Sequence, residues 1–443
     1  MSENDDKKIY GRVIVTYGRS LMSLVAAQSL ARRGLHVVGC DSVDLTALRF
    51  SKFCHSYFVH PDPADDEDAY IESLIEKIEY WRPEDDTPYV LMPLFDNARL
   101  LARRKSELPD YIKLAAPDAA SIDFVYPKDR LVRSLGALRD FAPESRIIEE
   151  RDDVEAAAAD LDFPLVLKPA EGVGGRGVEF VDDLEELLSA YNQLSETLKG
   201  PFVLQETAEG EDFCMTAIAD HGEVRAAMAY KNLDTFPKKS GAGTVRETVD
   251  HAPFLEATEA ILKYSNWTGV AEIDFRWTGK EEDAPKLIEV NARFWAGLYH
   301  SMASGVDYPW LLYQLTAYDA ISESANPIIG KVTRTPVLST MSMISSILSR
   351  SIRFPVTRRV VGSGWRLIRE EGEWREGLRR IWRGLKGAVA FDKAAFITLE
   401  KMDQSRDAPT EFDHADDPYA GLGFLFILSS LRRYGRLPDE VKY

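Results

Sequence analysis

Residues 164–181 read PLVLKPAEGVGGRGVEFV, and the fold turns on how that stretch is parsed. Its centre, GVGGRG at 172–177, matches G-x-G-x-x-G in letter. In a dinucleotide fold such a loop follows a strand and opens a helix, so that pyrophosphate meets the helix N-terminus. Here PLVLKP precedes the glycines and GVEFV follows, so the loop joins two strands. A Walker A reading fails as well, because no Lys-Ser/Thr follows the last glycine. What remains is a glycine-rich hairpin whose backbone N–H groups, unobstructed by Cβ atoms, can approach phosphate oxygens. A plain surface hairpin is the alternative, glycine being common in such turns. Lys168, just before the loop, stands inside an otherwise apolar strand. A buried lysine needs an anionic partner to offset its lost hydration, and a nucleotide phosphate is one.

Working outward, VLQETAEGED at 203–212 reads as a strand ending in a short polar loop. GVAEIDF at 269–275 places Asp274 in a strand, and KLIEVNAR at 286–293 places Glu289, Asn291 and Arg293 at alternating positions. Period-two spacing puts those three on one face. Two carboxylates and an amide oxygen suit Mg²⁺, a hard cation that shares oxygen ligands with substrate phosphates. An arginine beside them complements a transferring phosphoryl group. Any one of these acidic residues alone reads as a solvated or ion-paired surface residue; the ordered set argues for a metal–nucleotide site.

Upstream, RVIVT (12–16), a turn at Gly18, the helical stretch LMSLVAAQSLARRG (21–34) and LHVVGCD (35–41) form a βαβ opening, and PYVLMP (88–93) adds a strand with Asp96 just beyond it. The pattern predicts a doubly wound sheet. The first turn, Thr16-Tyr17-Gly18-Arg19-Ser20, lacks the dinucleotide fingerprint and reads as a structural βα unit. A strand-rich region runs from Tyr126 to about Asp319. Beyond 320, residues 350–386 are rich in Arg and Trp, and the apolar stretch YAGLGFLFILSSL (419–431) is too short to span a bilayer. The chain has 443 residues and a formal charge of -18, which argues against general nucleic-acid binding. Cys40, Cys54 and Cys214 are isolated, so a disulfide framework or a thiolate zinc site is not expected. With no basic-then-apolar leader in MSENDDKK, a cytoplasmic setting is expected.

This order of elements resembles the ATP-grasp superfamily, which includes D-alanine–D-alanine ligase, biotin carboxylase and the carbamoyl-phosphate synthetase large chain. The resemblance implies an α/β fold class: an N-terminal doubly wound parallel-sheet domain (1–125), two α+β ATP-grasp subdomains (126–325, with a lid at about 140–207) and a mostly helical C-terminal extension (326–443). It implies that Lys128 and Lys168 are phosphate lysines under a loop containing Gly174, Gly175 and Gly177. Gln205, Glu206 and Ala208 become the adenine-reading hinge and Asp212 a ribose ligand. Asp274, Glu289 and Asn291 become the Mg²⁺ or Mn²⁺ set. Arg293 takes the place of the family's Asn-x-Arg arginine, and Lys231 is a second catalytic candidate, in the acceptor-side loop 230–248 with Lys238, Lys239 and Arg246. Gln-Glu at the hinge and Ala292 depart from common family patterns without removing a ligand. The expected function is an ADP-forming carboxylate–amine ligase that uses ATP, closest in flavour to the D-aspartate-ligase-like group. A carboxylating or phosphoryl-transferring enzyme, and a nucleotide-binding regulatory protein, are the alternatives. Small-molecule carboxylate and amine substrates are the expected partners, with no nucleic acid. A homodimer, and peripheral membrane contact through the Arg/Trp-rich region, are further expectations.

Overall fold

The computed structural model describes residues 10–134, 136–172, 175–236, 242–322, 325–335, 374, 378–379, 381, 408–410 and 417–436. Five strands form a parallel sheet: β1 (Arg12–Val15), β2 (His36–Asp41), β3 (Ser56–Val59), β4 (Tyr89–Met92) and β5 (Lys113–Leu114). They run in the order β3-β2-β1-β4-β5. In β1, β2 and β4, the strands read from apolar runs, Val13–Val15, Val37–Asp41 and Tyr89–Met92 are buried, as a sheet covered on both faces requires; β3 and β5 were not read from the sequence. Ser20 and Asp66 cap the helices Leu21–Arg32 and Glu67–Tyr80, their side chains accepting from the N–H of Met22 and Ala69. Strand order reverses between β1 and β4, which brings the loops after those strands together.

A four-stranded antiparallel sheet follows, of β6 (Ser145–Ile148), β7 (Leu165–Pro169), β8 (Glu179–Val181) and β9 (Phe202–Glu206), in the order β6-β9-β7-β8. The glycine loop joins β7 to β8, two paired strands, as its flanks predicted. Leu165, Leu167, Phe202 and Leu204 pack with Val154, Leu187 and Tyr191 of the covering helices. Alternation turns Val166, Lys168 and Gln205 to the other face.

The largest sheet contains β10 (Glu211–Asp220), β11 (Glu223–Phe236), β12 (Ala242–Val249), β13 (Gly269–Trp277), β14 (Lys286–Asn291) and β15 (Val332–Arg334), ordered β14-β13-β10-β11-β12-β15. On one face Phe213, Met215, Ile273, Phe275 and Leu287 pack against Phe254 and Ile261 of the helix Ala252–Tyr264. On the other, Ile218, Ala226, Met228 and Val270 join a core with Tyr308, Leu311 and Leu312 of the helix Tyr308–Tyr318. Register shifts between Asp274 and Phe275: Asp274 pairs with Glu289 but Phe275 pairs with Leu287. Ile288 is the extra residue of a β-bulge.

The chain divides into two compact units, residues 1–232, 246–331 and 410–443 in one, 233–245 and 332–409 in the other. The extension expected as one piece at 326–443 is thus split. Residues 417–436 belong with the N-terminal sheet because they pack on the loop after β2. Asp417 accepts from Ser51 Oγ (2.6 Å) and Lys52 N (3.1 Å), Ser429 Oγ accepts from Asp44 N (3.0 Å), and Tyr434 Oη donates to Ser42 O (2.9 Å). In the second unit, Thr335 N donates to Thr244 O at 2.9 Å and Arg334 N to Pro409 O at 3.2 Å. The Arg/Trp-rich stretch 350–386 lies outside the described residues apart from Trp374, Leu378, Arg379 and Ile381. No helix among the described residues is long and apolar enough to cross a membrane.

Candidate active site

Antiparallel pairing of β13 with β14 sets Asp274 opposite Glu289 and Glu272 opposite Asn291. All four share the sheet face turned away from the Phe254 core. Asn291 Nδ2 donates to Asp274 Oδ2 (3.3 Å) and Glu272 Oε2 (3.4 Å). Glu272 also accepts from the Tyr230 hydroxyl. The sequence reading passed over Glu272, although its place two residues before Asp274 in Ala-Glu-Ile-Asp carried the same alternation signal. Burial, then the neighbouring Glu272 and Glu289, pushes the Asp274 carboxyl well above the usual range. Burial likewise raises Glu272. Glu289 moves the other way: burial opposes its charge, but Lys128 and Lys168 outweigh that and hold it low. Crowded carboxylates, Glu272 buried and Asp274 and Glu289 half-buried, that cannot all ionise comfortably alone, with an amide beside them, are a donor set suited to a hard divalent cation. Cys214 Sγ lies within 4.8 Å of ligand atoms of Glu272 and Asp274.

Two lysines reach this face from outside the sheet. Lys168, on β7 and only 5% exposed, donates to Gln205 Oε1 at 2.9 Å and to the Ile288 carbonyl at 3.4 Å, the bulge aiming that carbonyl at it. Burial lowers its pKa to about 8. Lys128 begins the helix Lys128–Ser134, donates to Gly172 O at 2.9 Å and pairs with Glu289 Oε2 at 3.3 Å. Gly175 and Gly177 both sit at φ 74°, where a side chain would strain the loop, while Gly174 lies outside the described residues. At the end of β9, Gln205 Nε2 donates to Ser145 Oγ at 2.9 Å, and Glu206 accepts from Asp162 N at 3.2 Å. Ala208 stands in the loop between β9 and β10. Asp212 is paired with Arg276 at 2.7 Å, a residue the sequence reading did not single out.

Arg293 does not extend the alternation of β14, because the strand ends at Asn291. It reaches the same cleft from the following loop; Phe95, Asp96, Lys128, Glu289 and Asn291 line that cleft with it. Its Nε donates to Asp96 Oδ1 at 3.1 Å, and its guanidinium lies over the Phe95 ring at 4.4 Å. Lys231 is not brought to the carboxylates. It pairs with Glu211 and lies 5.8 Å from the Phe213 ring, on the opposite face from its neighbour Tyr230. Arg246, 3% exposed, lies beside Tyr230, 6.0 Å from its ring, and its charge acts on Glu272. Lys238 and Lys239 lie outside the described residues. In the N-terminal sheet the acidic end of β2, Asp41, is taken by Arg19, which donates to it from N (2.8 Å) and Nε (3.0 Å). That removes the carboxylate a dinucleotide ribose would need.

Two family models match: "ATP-grasp in the biosynthetic pathway with Ter operon" over residues 199–334, and "Carbamoyl-phosphate synthase L chain, ATP binding domain" over 135–206. A carbamoyl phosphate synthase large chain from Thermoanaerobacter sp. (strain X514) is 22% identical over 222 residues, 47% of this chain. The match spans only 20% of that relative's length. Among solved structures, a biotin carboxylase–beta-gamma-ATP complex from Campylobacter jejuni covers 72% of this chain and 73% of its own at 16% identity, with a TM-score of 0.57. An L-amino acid ligase from Bacillus licheniformis covers 70% and 75% at 19% identity, with a TM-score of 0.52. These likenesses show the fold.

Proposed function

We propose, for a chain that is a member of the ATP-grasp superfamily, an ATP-dependent ligase reaction joining a carboxylate to an amine. The observation that carries the reading is the opposed Asp274–Glu289 pair with Asn291 beside it, met by Lys128 and Lys168 from two other elements. Asp274, Glu289 and Asn291 would hold a divalent cation, which when bound neutralises phosphate charge and fixes the phosphates in place. Lys168 and Lys128 would exchange their present partners, Gln205 and Glu289, for phosphate oxygens. Arg293 would face the transferring group.

In the proposed sequence a carboxylate oxygen of the substrate attacks the γ-phosphorus of ATP, and the β–γ bridging bond breaks to release ADP. An amine nitrogen then attacks the acyl carbon. The tetrahedral intermediate expels phosphate, and the proton lost by nitrogen passes to solvent. No side-chain nucleophile is required, which agrees with a site of charge-bearing residues that position rather than react. The domain division, the hinge's adenine contacts and the ribose role of Asp212 are proposals on the same footing.

The test is ADP release from MgATP across a panel of amino acids paired with one another. Glu289→Gln and Lys168→Ala should each lower turnover by about 10²–10³-fold. Wild-type rates in both variants would exclude the assignment. MgATP binding without turnover on any pair would favour a regulatory nucleotide-binding role instead.

A further inference from the structure

Arg293 is the one cationic member of the proposed site with no strand or helix beneath it: β14 ends at Asn291, and Arg293 stands two residues further on. A long side chain on a loop surrenders its rotamer freedom only where something holds it. Both holds come from the loop after β4. Asp96 occupies the N-cap position of the helix Asn97–Arg103, where an aspartate normally turns its carboxylate to the helix N–H groups. It makes no such cap bond; instead Oδ1 accepts from Arg293 Nε at 3.1 Å. Phe95 carries the guanidinium over one face of its ring at 4.4 Å, while Tyr17, from the loop after β1, stacks on it with ring centroids 4.6 Å apart and planes 8° from parallel. Arg293 Nη1 donates to the Phe294 carbonyl at 3.0 Å, and no described residue is recorded accepting from Nη2. The Asp96 side chain is 56% exposed, and so exposed an ion pair adds little to stability. The arrangement is better suited to fixing direction.

Resting on the ligase reading above, we propose that Asp96 and Phe95 are positioning residues that aim Arg293 at the transferring phosphoryl group. The strand-order reversal of the N-terminal sheet thereby supplies an orienting clamp for a site whose metal ligands lie elsewhere in the chain. Tyr17 backs the clamp by stacking on the Phe95 ring.

The experiment is calorimetric titration of the full chain with MgADP alone and with MgADP plus aluminium fluoride, which mimics the phosphoryl group in transfer. Wild type should bind the fluoride complex more tightly than MgADP. Asp96→Asn should hold MgADP as wild type does and melt at the same temperature, yet lose ~10-fold or more of the fluoride-complex affinity. Phe95→Leu should do the same and Phe95→Tyr should restore it. A variant pair that keeps the fluoride gain, or that loses MgADP affinity in parallel, overturns the proposal. So does a wild type that binds MgADP but gains nothing from aluminium fluoride, a result that leaves the ATP site standing. A wild type that fails to bind MgADP overturns the ATP-site reading, and the clamp with it.

Discussion

Lys168 lies almost without exposure between Gln205 and the Ile288 carbonyl, and burial, outweighing the nearby Glu289 and Asp274 charges, brings its pKa from 10.5 to about 8. The unfolded chain therefore binds more protons than the folded one between pH 8 and 10.5. By linkage the ligand-free protein gains stability as pH rises through that window, and below pH 8 the buried charge exerts its full penalty. Phosphate acts in the opposite sense, favouring the ammonium form. MgADP binding should accordingly take up a proton above pH 8, and its affinity should fall by up to about tenfold per pH unit there. Titrations in buffers of different ionisation enthalpy at pH 7 and 9 would read this directly. Lys168→Met should bind more weakly at pH 7 and show a flat profile; a slope that survives the substitution would assign the titration to another group. Lys168 was legible in the sequence because a lone cation interrupts an apolar strand. Glu272 was equally available to alternation but, standing beside a stronger candidate in Asp274, was passed over.

At the scale of the element, alternation is informative only when register is known. On β11 it turns Tyr230 to the carboxylate face and Lys231 to the face that holds Phe213 and Glu211. Lys231→Ala is therefore expected to leave ADP release within about twofold of wild type, since lost surface pairing is worth little. A hundredfold loss would show that the strand contributes from the other face. The flanks of GVGGRG disclosed a strand–loop–strand hairpin, because two apolar runs without a helical period leave no other choice. On β14 the reading of Glu289 and Asn291 as one face succeeded, but it missed the bulge. Leu287 and Val290, three positions apart, both face the core, and only the extra Ile288 allows that. Nothing in Leu-Ile-Glu marks an inserted residue, because a bulge is chosen by the partner strand. Arg293 was placed on the strand's face by the same period, whereas its true support is an aspartate almost two hundred positions earlier.

For the whole molecule, the doubly wound sheet and the strand-rich region after it were legible from apolar runs, while the division of that region into two sheets and the destination of residues 417–436 were not. Residues 417–436 carry too few distinctive letters to reveal that they seat on the loop after β2. Asp417 is buried and accepts both the Ser51 hydroxyl and the Lys52 amide. Asp417→Ala strands those donors and should lower stability by about 1–3 kcal/mol, measured as a shift in the urea midpoint. An unchanged midpoint would mean that the segment rests on its apolar contacts alone. The bond from Ser51 to Asp417 spans 366 residues, and that separation has a temporal meaning. At roughly 5–20 residues per second, a ribosome needs on the order of 20–70 s to reach Asp417 after finishing Ser51. For that interval the nascent N-terminal sheet waits with one flank uncovered, and that flank closes only once residues 417–436 have been made.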